Sequence, residues 1–568
     1  MCGICGFYGS KNRKVLEAMS RELAHRGPDM EGFYEDDSVS FAHRRLSIID
    51  LSPEGKQPMA NENNNIFSIV NGEIYNFKQI RSELLSAGHT FCSKSDSEVI
   101  VHAYEEYGED FVHKLNGMFA IAIWDSLQKK LLLIRDRLGI KPLYYAQFND
   151  SLVFASEIKA ILKFTGINKE FNQDCLYQYL AFQCILTADT MFKGIYKLEP
   201  GNMLIFKDGK LTCKRYWFLD ESGHHHSDTQ GVESALKAAV ESHLVSDVPV
   251  GVLLSGGLDS SSIVAIMHEA GLNNIETFTA GFNQPDDEFI YSRQVADRFK
   301  TNHHELLIEP KRIEVMLEKI VWHMDEPLAD GGAIATYLAA QKVREFVKVV
   351  LVGEGGDETL AGYNWHKLAV SPFDLIPQGV REKFYFYLTT FYKCNSKIPF
   401  ETFSGLFKKK SNFFDSMASY EINNILPNSL LMKVDKMTMA HSLEARVPFL
   451  DHNFVAKVFG FNYKDKISLF ATKKLLRKYM QGRLPEEILN RRKHGFILPV
   501  DKWLNVELRG FAKDTLLSRQ SLAGRIFPKD FLNGLFNKKI GLANIENSSL
   551  LWRLLILELW HKVYFKDN

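Results

Sequence analysis

The chain has 568 residues, with 69 Lys+Arg against 69 Asp+Glu, so its formal net charge is zero. This balance gives no general basic field for nucleic acid or anionic lipid, and no apolar run in the sequence is long enough to cross a bilayer. We therefore expect neither nucleic acid nor a membrane as partner. Seven scattered cysteines and a start without a secretory pattern favour reduced thiols and a cytoplasmic location.

The length exceeds one ordinary hydrophobic core and predicts at least two domains. In residues 1–215, short apolar runs alternate with amphipathic stretches, and Asn-Gly, Asp and Gly turns separate them. This texture predicts an α+β domain with stacked antiparallel sheets. The predicted strands are 66–70, 119–124, 131–134, 143–146 and 152–155, and the predicted helices are 15–24, 77–87 and 97–107.

A polar stretch, residues 216–230, separates this domain from a second one at 231–568. The stretch contains His224, His225 and His226. A metal site is one interpretation, but adjacent residues in an extended chain point to opposite sides, which favours a solvated linker.

Strands and helices alternate after the linker, which predicts an α/β domain with a parallel sheet, and from about residue 365 the chain is mostly helical. The predicted strands are 249–254, 276–281 and 347–352, and the predicted helices are 260–269, 291–299 and 334–344.

Cys2 becomes the N-terminal residue once Met1 is removed. Its thiol is then a nucleophile, and its free α-amine, with an ordinary pKa of about 7.7–8.0, is a base on the same residue. The alternative is a zinc or redox site with Cys5 at CxxC spacing. A second CxxC or a histidine pair nearby would be needed to favour it.

Three further features have a catalytic and an ordinary interpretation. Asn71 and Gly72 offer side-chain and backbone N–H groups to an oxyanion, but the pair is also typical of a hairpin turn. Arg45 suits a substrate carboxylate, or is a surface arginine. Asp96 suits an α-ammonium group, or caps the helix that follows it.

Taken together, these features occur in a familiar order: Cys2, residues 25–29 (HRGPD), 43–50 (HRRLSIID), 71–76 (NGEIYN) and Asp96. The series resembles the glutaminase domain of N-terminal-nucleophile amidotransferases. The resemblance implies a four-layer αββα fold and hydrolysis of glutamine to glutamate and ammonia. It also implies roles for six residues: Cys2 as nucleophile, Asn71 and Gly72 as oxyanion hole, and Arg45, Glu73 and Asp96, with Asn71 and Gly72, as the glutamine-binding set.

The second domain begins with a glycine-rich loop, residues 254–261 (LSGGLDSS), between a buried strand and a helix. Its backbone N–H groups and the helix N-terminus are suited to phosphate, and Asp259 offers oxygen to a hard cation such as Mg2+. The terminal Gly-Lys-Ser/Thr of a Walker A loop is missing. An ordinary turn is the alternative.

The loop resembles the PP-loop of enzymes that cleave ATP to AMP and pyrophosphate. A second strand end supplies residues 352–358 (VGEGGDE), and both loops should face one crevice because ligands bind beyond the carboxyl ends of parallel strands. Asp259 and Asp357 are then the expected Mg2+ ligands, with adenine against the end of strand 276–281. The predicted ATP-binding residues are Leu254, Ser255, Gly256, Gly257, Asp259, Ser260, Ala280, Val352 and Gly353.

Residues 325–330 (DEPLAD), 445–451 (ARVPFLD) and 492–496 (RKHGF) extend the match, and the second domain resembles the synthetase domain of glutamine-dependent asparagine synthetases. The resemblance covers nearly the whole chain. It implies that Glu354 deprotonates the attacking ammonia and that Lys493 stabilises charge at the adenylate or pyrophosphate. A turn glutamate and a solvated lysine are the alternatives.

The predicted reaction uses glutamine, ATP, Mg2+ and a carboxylate acceptor, and a homodimer is possible. Aspartate is the first choice of acceptor, which would give asparagine. Val352, Gly331, Gly332 and Ala335 depart from the commonest family pattern and put the acceptor in question. A uronic acid of surface polysaccharides is the second choice. A β-lactam-synthetase-like role would leave Cys2 and the glutamine-binding residues without purpose. The presence of Cys2, Asp259, Glu354 and Asp357 argues against a non-catalytic scaffold.

Overall fold

The computed structural model describes residues 2–9, 11–219, 229–281, 288–308, 313–390, 397–491, 500–537 and 545–566. The middle of the predicted linker, residues 220–228, and Lys493 lie outside these ranges. None of the helices in the described ranges is both long and apolar enough to span a bilayer.

Two six-stranded antiparallel sheets build the first half of the molecule. All five strands predicted there are present, most of them longer by one to four residues. The twelve strands are β1 (Gly3–Tyr8), β2 (Met30–Glu35), β3 (Val39–Arg45), β4 (Met59–Ala60), β5 (Ile66–Ile74), β6 (Gly117–Asp125), β7 (Lys130–Arg135), β8 (Tyr144–Phe148), β9 (Ser151–Ala155), β10 (Tyr196–Lys197), β11 (Asn202–Lys207) and β12 (Lys210–Arg215).

The strand order is β10-β8-β9-β1-β3-β2 in one sheet and β12-β11-β7-β6-β5-β4 in the other. Side chains from both sheets, among them Ile4, Phe41, Ile69 and Trp124, form a single buried cluster, so the sheets pack face to face. Alternate residues of each strand face the helices instead. The helices on the outer faces are α1 (Arg13–Glu22), α2 (Phe77–Ser86), α3 (Val99–Tyr107) and α4 (Ile158–Ile161). A further helix, α5 (Leu176–Phe182), contacts Arg553 of the second half instead.

This arrangement confirms the predicted αββα fold. It also corrects one alternative at β5, which continues through Asn71 and Gly72 to Ile74 instead of turning there. Asn71 pairs with Ala120 and Gly72 with Phe119 on β6. The Asn-Gly pair is therefore inside a strand, because its ladder with β6 overrides the local turn preference.

The second half contains a five-stranded parallel sheet in the order β15-β14-β13-β16-β17. The three predicted strands are present. Two others were missed because one is polar and at the sheet edge and the other has only three residues in a helical region. The strands are β13 (Val250–Leu253), β14 (Glu276–Gly281), β15 (Asn302–Leu307), β16 (Val349–Leu351) and β17 (Glu444–Arg446).

Helices surround this sheet, and the described residues after about 365 are mostly helical, as predicted. They are α6 (Thr229–Ser242), α7 (Leu258–Glu269), α8 (Phe289–Phe299), α9 (Ile313–Met324), α10 (Gly332–Val343), α11 (Gly356–Leu360), α12 (Gln378–Thr389), α13 (Ile398–Leu406), α14 (Phe413–Tyr420), α15 (Leu431–Met439), α16 (His452–Phe459), α17 (Tyr463–Lys466), α18 (Lys474–Met480), α19 (Glu486–Asn490), α20 (Val500–Asn505), α21 (Arg509–Leu516), α22 (Leu522–Ile526), α23 (Lys529–Asn537) and α24 (Ile545–Phe565).

Candidate active sites

Cys2 lies at the start of β1, next to Asn71 on the facing sheet. The Cys2 backbone nitrogen, which becomes the α-amine when Met1 is removed, donates to Asn71 Oδ1 at 3.1 Å. Asn71 Nδ2 is buried and makes no hydrogen bond among the described residues. A buried donor without an acceptor is costly, so this amide is free to hold an oxygen that arrives with a substrate.

The Cys2 thiol is buried, and its surroundings favour the protonated form. Burial raises the thiol pKa above its ordinary value, and the backbone N–H of Leu46 and the charge of Arg45 partly oppose this effect. A protonated thiol is a weak nucleophile, so an amine beside it that can take its proton would activate it.

Arg45 ends β3 and is buried, so the surface-arginine alternative is wrong. Backbone carbonyls of the following loop position its guanidinium: Nη1 donates to Ser52 O at 3.0 Å and Nη2 to Ile49 O at 3.1 Å. Gly55 has no side chain and so leaves space for the Arg45 guanidinium, because a Cβ at this position would lie 2.0 Å from Arg45 Nη2.

Glu73 and Asp96 are two buried carboxylates near this thiol. Burial, reinforced by the charges of Asp96 and Glu444, raises the pKa of Glu73 well above its usual range. Burial also raises the pKa of Asp96, although the Ile74 N–H donates to its Oδ2 at 2.8 Å. Ser95, not Asp96, caps the helical turn that follows. The pair is suited to a buried cation such as an α-ammonium group.

Two arginines that sequence reasoning missed support this site. Arg26 donates from Nε to Cys2 O at 3.0 Å and from Nη1 to Glu157 at 2.8 Å, and it pairs with Asp435 of the second half at 2.9 Å. The motif HRGPD contains Arg26 and was the only signal available for it. The other arginine, Arg446, comes from the second half.

At the carboxyl ends of β13 and β16, the two predicted loops lie against each other. A Cβ on Gly353 would lie 3.0 Å from Asp259 Cβ, and one on Gly356 would lie 2.8 Å from Asp259 Cγ. Ser255 and Ser260 hold the first loop through an Oγ–Oγ hydrogen bond of 3.1 Å. The loops therefore share one crevice.

Asp259 and Asp357 converge on a single ammonium that sequence reasoning missed. Lys473 Nζ lies 2.5 Å from Asp259 Oδ2 and 2.6 Å from Asp357 Oδ1. Despite burial, the two carboxylates raise the Lys473 pKa to about 12. Two carboxylates arranged around one cation are also the donor set that Mg2+ prefers, so these residues fit the metal.

The other predicted ATP-binding residues lie around this crevice. Leu254 N donates to Phe278 O at 2.8 Å, and Val352 N donates to Arg446 O at 2.9 Å. Since these N–H groups already have acceptors, Val352 has only its carbonyl to offer ATP. Ala280 is half-buried near the end of β14.

Glu354 follows β16 and is half-buried beside Lys433. Burial raises its pKa, and the charge of Lys433 opposes this. Lys433 Nζ also contacts Asp330 Oδ2 at 2.6 Å, which connects the DEPLAD segment with Glu354. A carboxyl with a raised pKa is better matched to proton transfer near neutral pH than an ordinary one.

Lys493 itself lies outside the described residues, but Arg491 nearby reaches the first loop. Its Nη1 donates to Ser255 O at 3.2 Å, and its Nη2 pairs with Glu288 Oε1 at 3.1 Å. The described chain is therefore anchored at the PP-loop up to Arg491.

An αββα sandwich with Cys2 beside Asn71, followed by a parallel sheet with a glycine-rich loop at its strand ends, is the architecture of one class of enzyme. The chain is a glutamine-dependent amidotransferase with a ligase half.

Comparisons with known proteins agree with this class. A model of the asparagine synthase family matches residues 231–562, and a model of the glutamine amidotransferase domain matches residues 1–217. The glutamine-hydrolyzing asparagine synthetase 1 of Bacillus subtilis is 34% identical, over 99% of this chain and 97% of that protein. Asparagine synthetase 3 of the same organism is 34% identical over 87% and 86%, and amidase chry2 of Gibberella zeae is 28% identical over 96% of each chain. The chain belongs to the asparagine synthase family, whose members use ATP as a substrate.

Proposed function

We propose that this enzyme makes asparagine from aspartate, ATP and glutamine, with AMP, pyrophosphate and glutamate as the other products. The observation that carries the proposal is the convergence of the two strand-end loops on Lys473, with Glu354 on the same loop as Asp357. Support for aspartate comes from the relatives of nearly full length that are named asparagine synthetases. We place the glutaminase domain at 1–215 and the synthetase domain at 231–568.

In the first half, the Cys2 α-amine takes the thiol proton, and the thiolate attacks the glutamine carboxamide. The C–N bond then breaks, the amine returns the proton to the leaving ammonia, and water hydrolyses the resulting thioester to glutamate and the free thiol. Asn71 Nδ2 and the Gly72 N–H hold the oxyanion. Arg45 binds the substrate α-carboxylate, and Glu73 and Asp96 bind its α-ammonium group.

In the second half, the acceptor carboxylate attacks the ATP α-phosphate to give an acyl-adenylate and pyrophosphate. Mg2+, held by Asp259 and Asp357, would neutralise phosphate charge when bound. The N–H groups of residues 255–257 bind phosphate, and Lys473 and Lys493 supply positive charge. Glu354 takes a proton from ammonia as it attacks the adenylate. Free ammonia protonates in water, so an enclosed route between the sites is needed.

A second acceptor is favoured by one observation: a relative of similar length, 28% identical, is named an amidase. The same chemistry on another carboxylate, such as a uronic acid, is the second candidate.

The test is product analysis of the purified chain, with Met1 removal verified, given ATP, Mg2+, glutamine and aspartate. Asparagine, AMP and pyrophosphate in equal amounts are expected. Glutamate release without asparagine would reject aspartate and leave the amidotransferase class standing.

A further inference from the structure

A cluster of two histidines and four glutamates lies on the glutaminase domain and has no part in the chemistry above. Glu62 lies in the turn between β4 and β5, and His89 follows α2. His102 and Glu105 are three residues apart on α3, so they share one helix face. One potential ligand atom from each of these four residues lies within 4.8 Å of all the others.

We propose that this cluster is a divalent transition-metal site, with Zn2+ as the best fit, formed by Glu62, His89, His102 and Glu105. Imidazole nitrogens and carboxylate oxygens in a four-ligand set favour Zn2+ over Mg2+ or Ca2+. Zinc bonds of about 2.0–2.2 Å require tetrahedral ligands to be roughly 3.3 Å apart. The carboxylates of Glu62 and Glu105 are partly exposed, and small side-chain adjustments that keep their hydrogen bonds would close the remaining distance.

The state of His102 is the first independent observation. Its side chain is 1% exposed, yet neither ring nitrogen makes a hydrogen bond. The Nδ1 atom points into the cluster, 3.2 Å from Glu62 Oε2. A buried imidazole without hydrogen bonds is unfavourable, and metal coordination at Nδ1 would satisfy it.

The outer carboxylates are the second observation. His89 Nδ1 lies 3.3 Å from Glu62 Oε1, while its Nε2 lies 3.4 Å from Glu106 Oε2. In the same way, His102 Nε2 lies 3.7 Å from Glu98 Oε1. Each histidine thus has one nitrogen toward the cluster centre and the other facing a carboxylate; the His89 contact is already at hydrogen-bond distance, and a small shift of His102 toward Glu98 would complete the usual outer shell of a metal-binding histidine.

The inner carboxylates are also held in place. Thr90 N donates to Glu62 Oε1 at 2.7 Å, and Asn61 Nδ2 donates to Glu105 Oε2 at 2.9 Å. Among the described residues, no Lys or Arg forms an ion pair with the four glutamates of the cluster. Apart from the two histidines, their negative charge therefore has no basic side chain at contact distance among the described residues, and a divalent ion would supply the missing positive charge.

The experiment uses the full chain with competing zinc ligands removed. The background carries Cys2→Ala and His224→Ser, His225→Ser and His226→Ser, and Mg2+ is present in excess. After chelator treatment, Zn2+ is titrated by calorimetry into this chain and into its His89→Gln and Glu105→Gln derivatives. His113→Gln, at an exposed histidine of the same domain, is the matched control.

We expect one Zn2+ per background chain, unchanged binding in His113→Gln, and at least about tenfold weaker binding in each of the other two variants. Zn2+ should also raise the Tm of the background chain and fail to raise that of His89→Gln. Failure of the background chain to bind Zn2+, or equal affinity in all four chains, would overturn the proposal. Circular dichroism of each variant separates loss of binding from loss of fold.

Discussion

Arg446 of the second half lies 3.6 Å from Glu73 of the first half, from Nη2 to Oε2. Arg446 is fully buried, and its Nη1 donates to His243 O at 2.8 Å and Val245 O at 2.6 Å. The Arg446 carbonyl accepts from the Val352 N–H beside the proposed ligase crevice, and its side chain partly neutralises Glu73 of the proposed glutamine site, so one residue connects the surroundings of the two sites.

Arg446→Met removes this neutralising charge and leaves Glu73 and Glu444 as buried carboxylates. Removing one partner of a buried ion pair costs about 3–5 kcal/mol, so we expect a lower Tm together with a raised KM for glutamine. Thermal unfolding and glutaminase kinetics measure both. The companion variant Glu73→Gln should lose glutamine binding with a smaller fall in Tm. Burial raises the pKa of Glu73, which means that the ionised carboxylate is unfavourable in the folded chain, so its removal costs less stability. An unchanged KM in both variants would contradict the coupling.

Cys2→Ala should abolish glutamine-dependent synthesis and keep synthesis from added ammonium salts, because only the first half uses the thiol. Amide formation with each nitrogen source is measured by chromatography. Cys92→Ala, at an exposed cysteine of the same domain, is the control and should leave both activities intact. Glutamine use that persists in Cys2→Ala would remove Cys2 from the mechanism.

Gly55→Ala tests the placement of Arg45. The added Cβ would meet the guanidinium at 2.0 Å and displace it. A misplaced charged hydrogen bond costs about 1.5–3 kcal/mol, so the KM for glutamine should rise about 10- to 100-fold while ammonia-dependent synthesis is unchanged. Gly534→Ala, where a Cβ meets open space, is the matched control. Equal KM values for the two variants would argue against Arg45 as a glutamine-binding residue.

Lys473→Gln tests the cation between Asp259 and Asp357. Loss of one stabilising charge in a preorganised site lowers rates by about 10²–10³, and we expect this fall in the aspartate-dependent exchange of pyrophosphate into ATP. Hydrolysis of glutamine in the absence of ATP should be unaffected. The neighbouring Lys474, which donates to Lys464 O on the surface, provides the control Lys474→Gln. Full exchange activity in Lys473→Gln would show that Lys473 only fills the crevice.

Glu358 predicts a pH dependence of stability. Burial, together with the charge of Asp357, raises its pKa from 4.5 to about 7, although the Tyr363 hydroxyl donates to it at 2.5 Å. The unfolded chain ionises this group near pH 4.5 and the folded chain only near pH 7, so stability falls as pH rises between these values. The difference is worth about 3 kcal/mol above pH 7.

Glu358→Gln should therefore have a higher Tm than the parent at pH 8, and the two should approach each other near pH 4.5. Differential scanning calorimetry across this range measures the difference. Glu345→Gln, at an exposed carboxylate, should follow the parent at every pH. A Glu358→Gln curve parallel to that of the parent would contradict the raised pKa.

The sequence by itself determined the parts of this protein whose physics is local. The position of Cys2 directly after Met1 predicted a nucleophile with its own base, and the glycine-rich loop after β13 is suited to phosphate because of its own backbone. Alternating and continuous apolar runs predicted the sandwich and the parallel sheet, since strand periodicity depends only on which faces are buried.

Only the tertiary structure decided which charges meet. Lys473 is 214 residues from Asp259, and nothing in the sequence around it distinguishes it from the lysines nearby. The contact of Arg446 with Glu73 likewise depends on how the two halves pack. Asn71 and Gly72 were ambiguous for the same reason, because a local turn preference competes with a ladder to a distant strand and only the complete sheet decides the outcome.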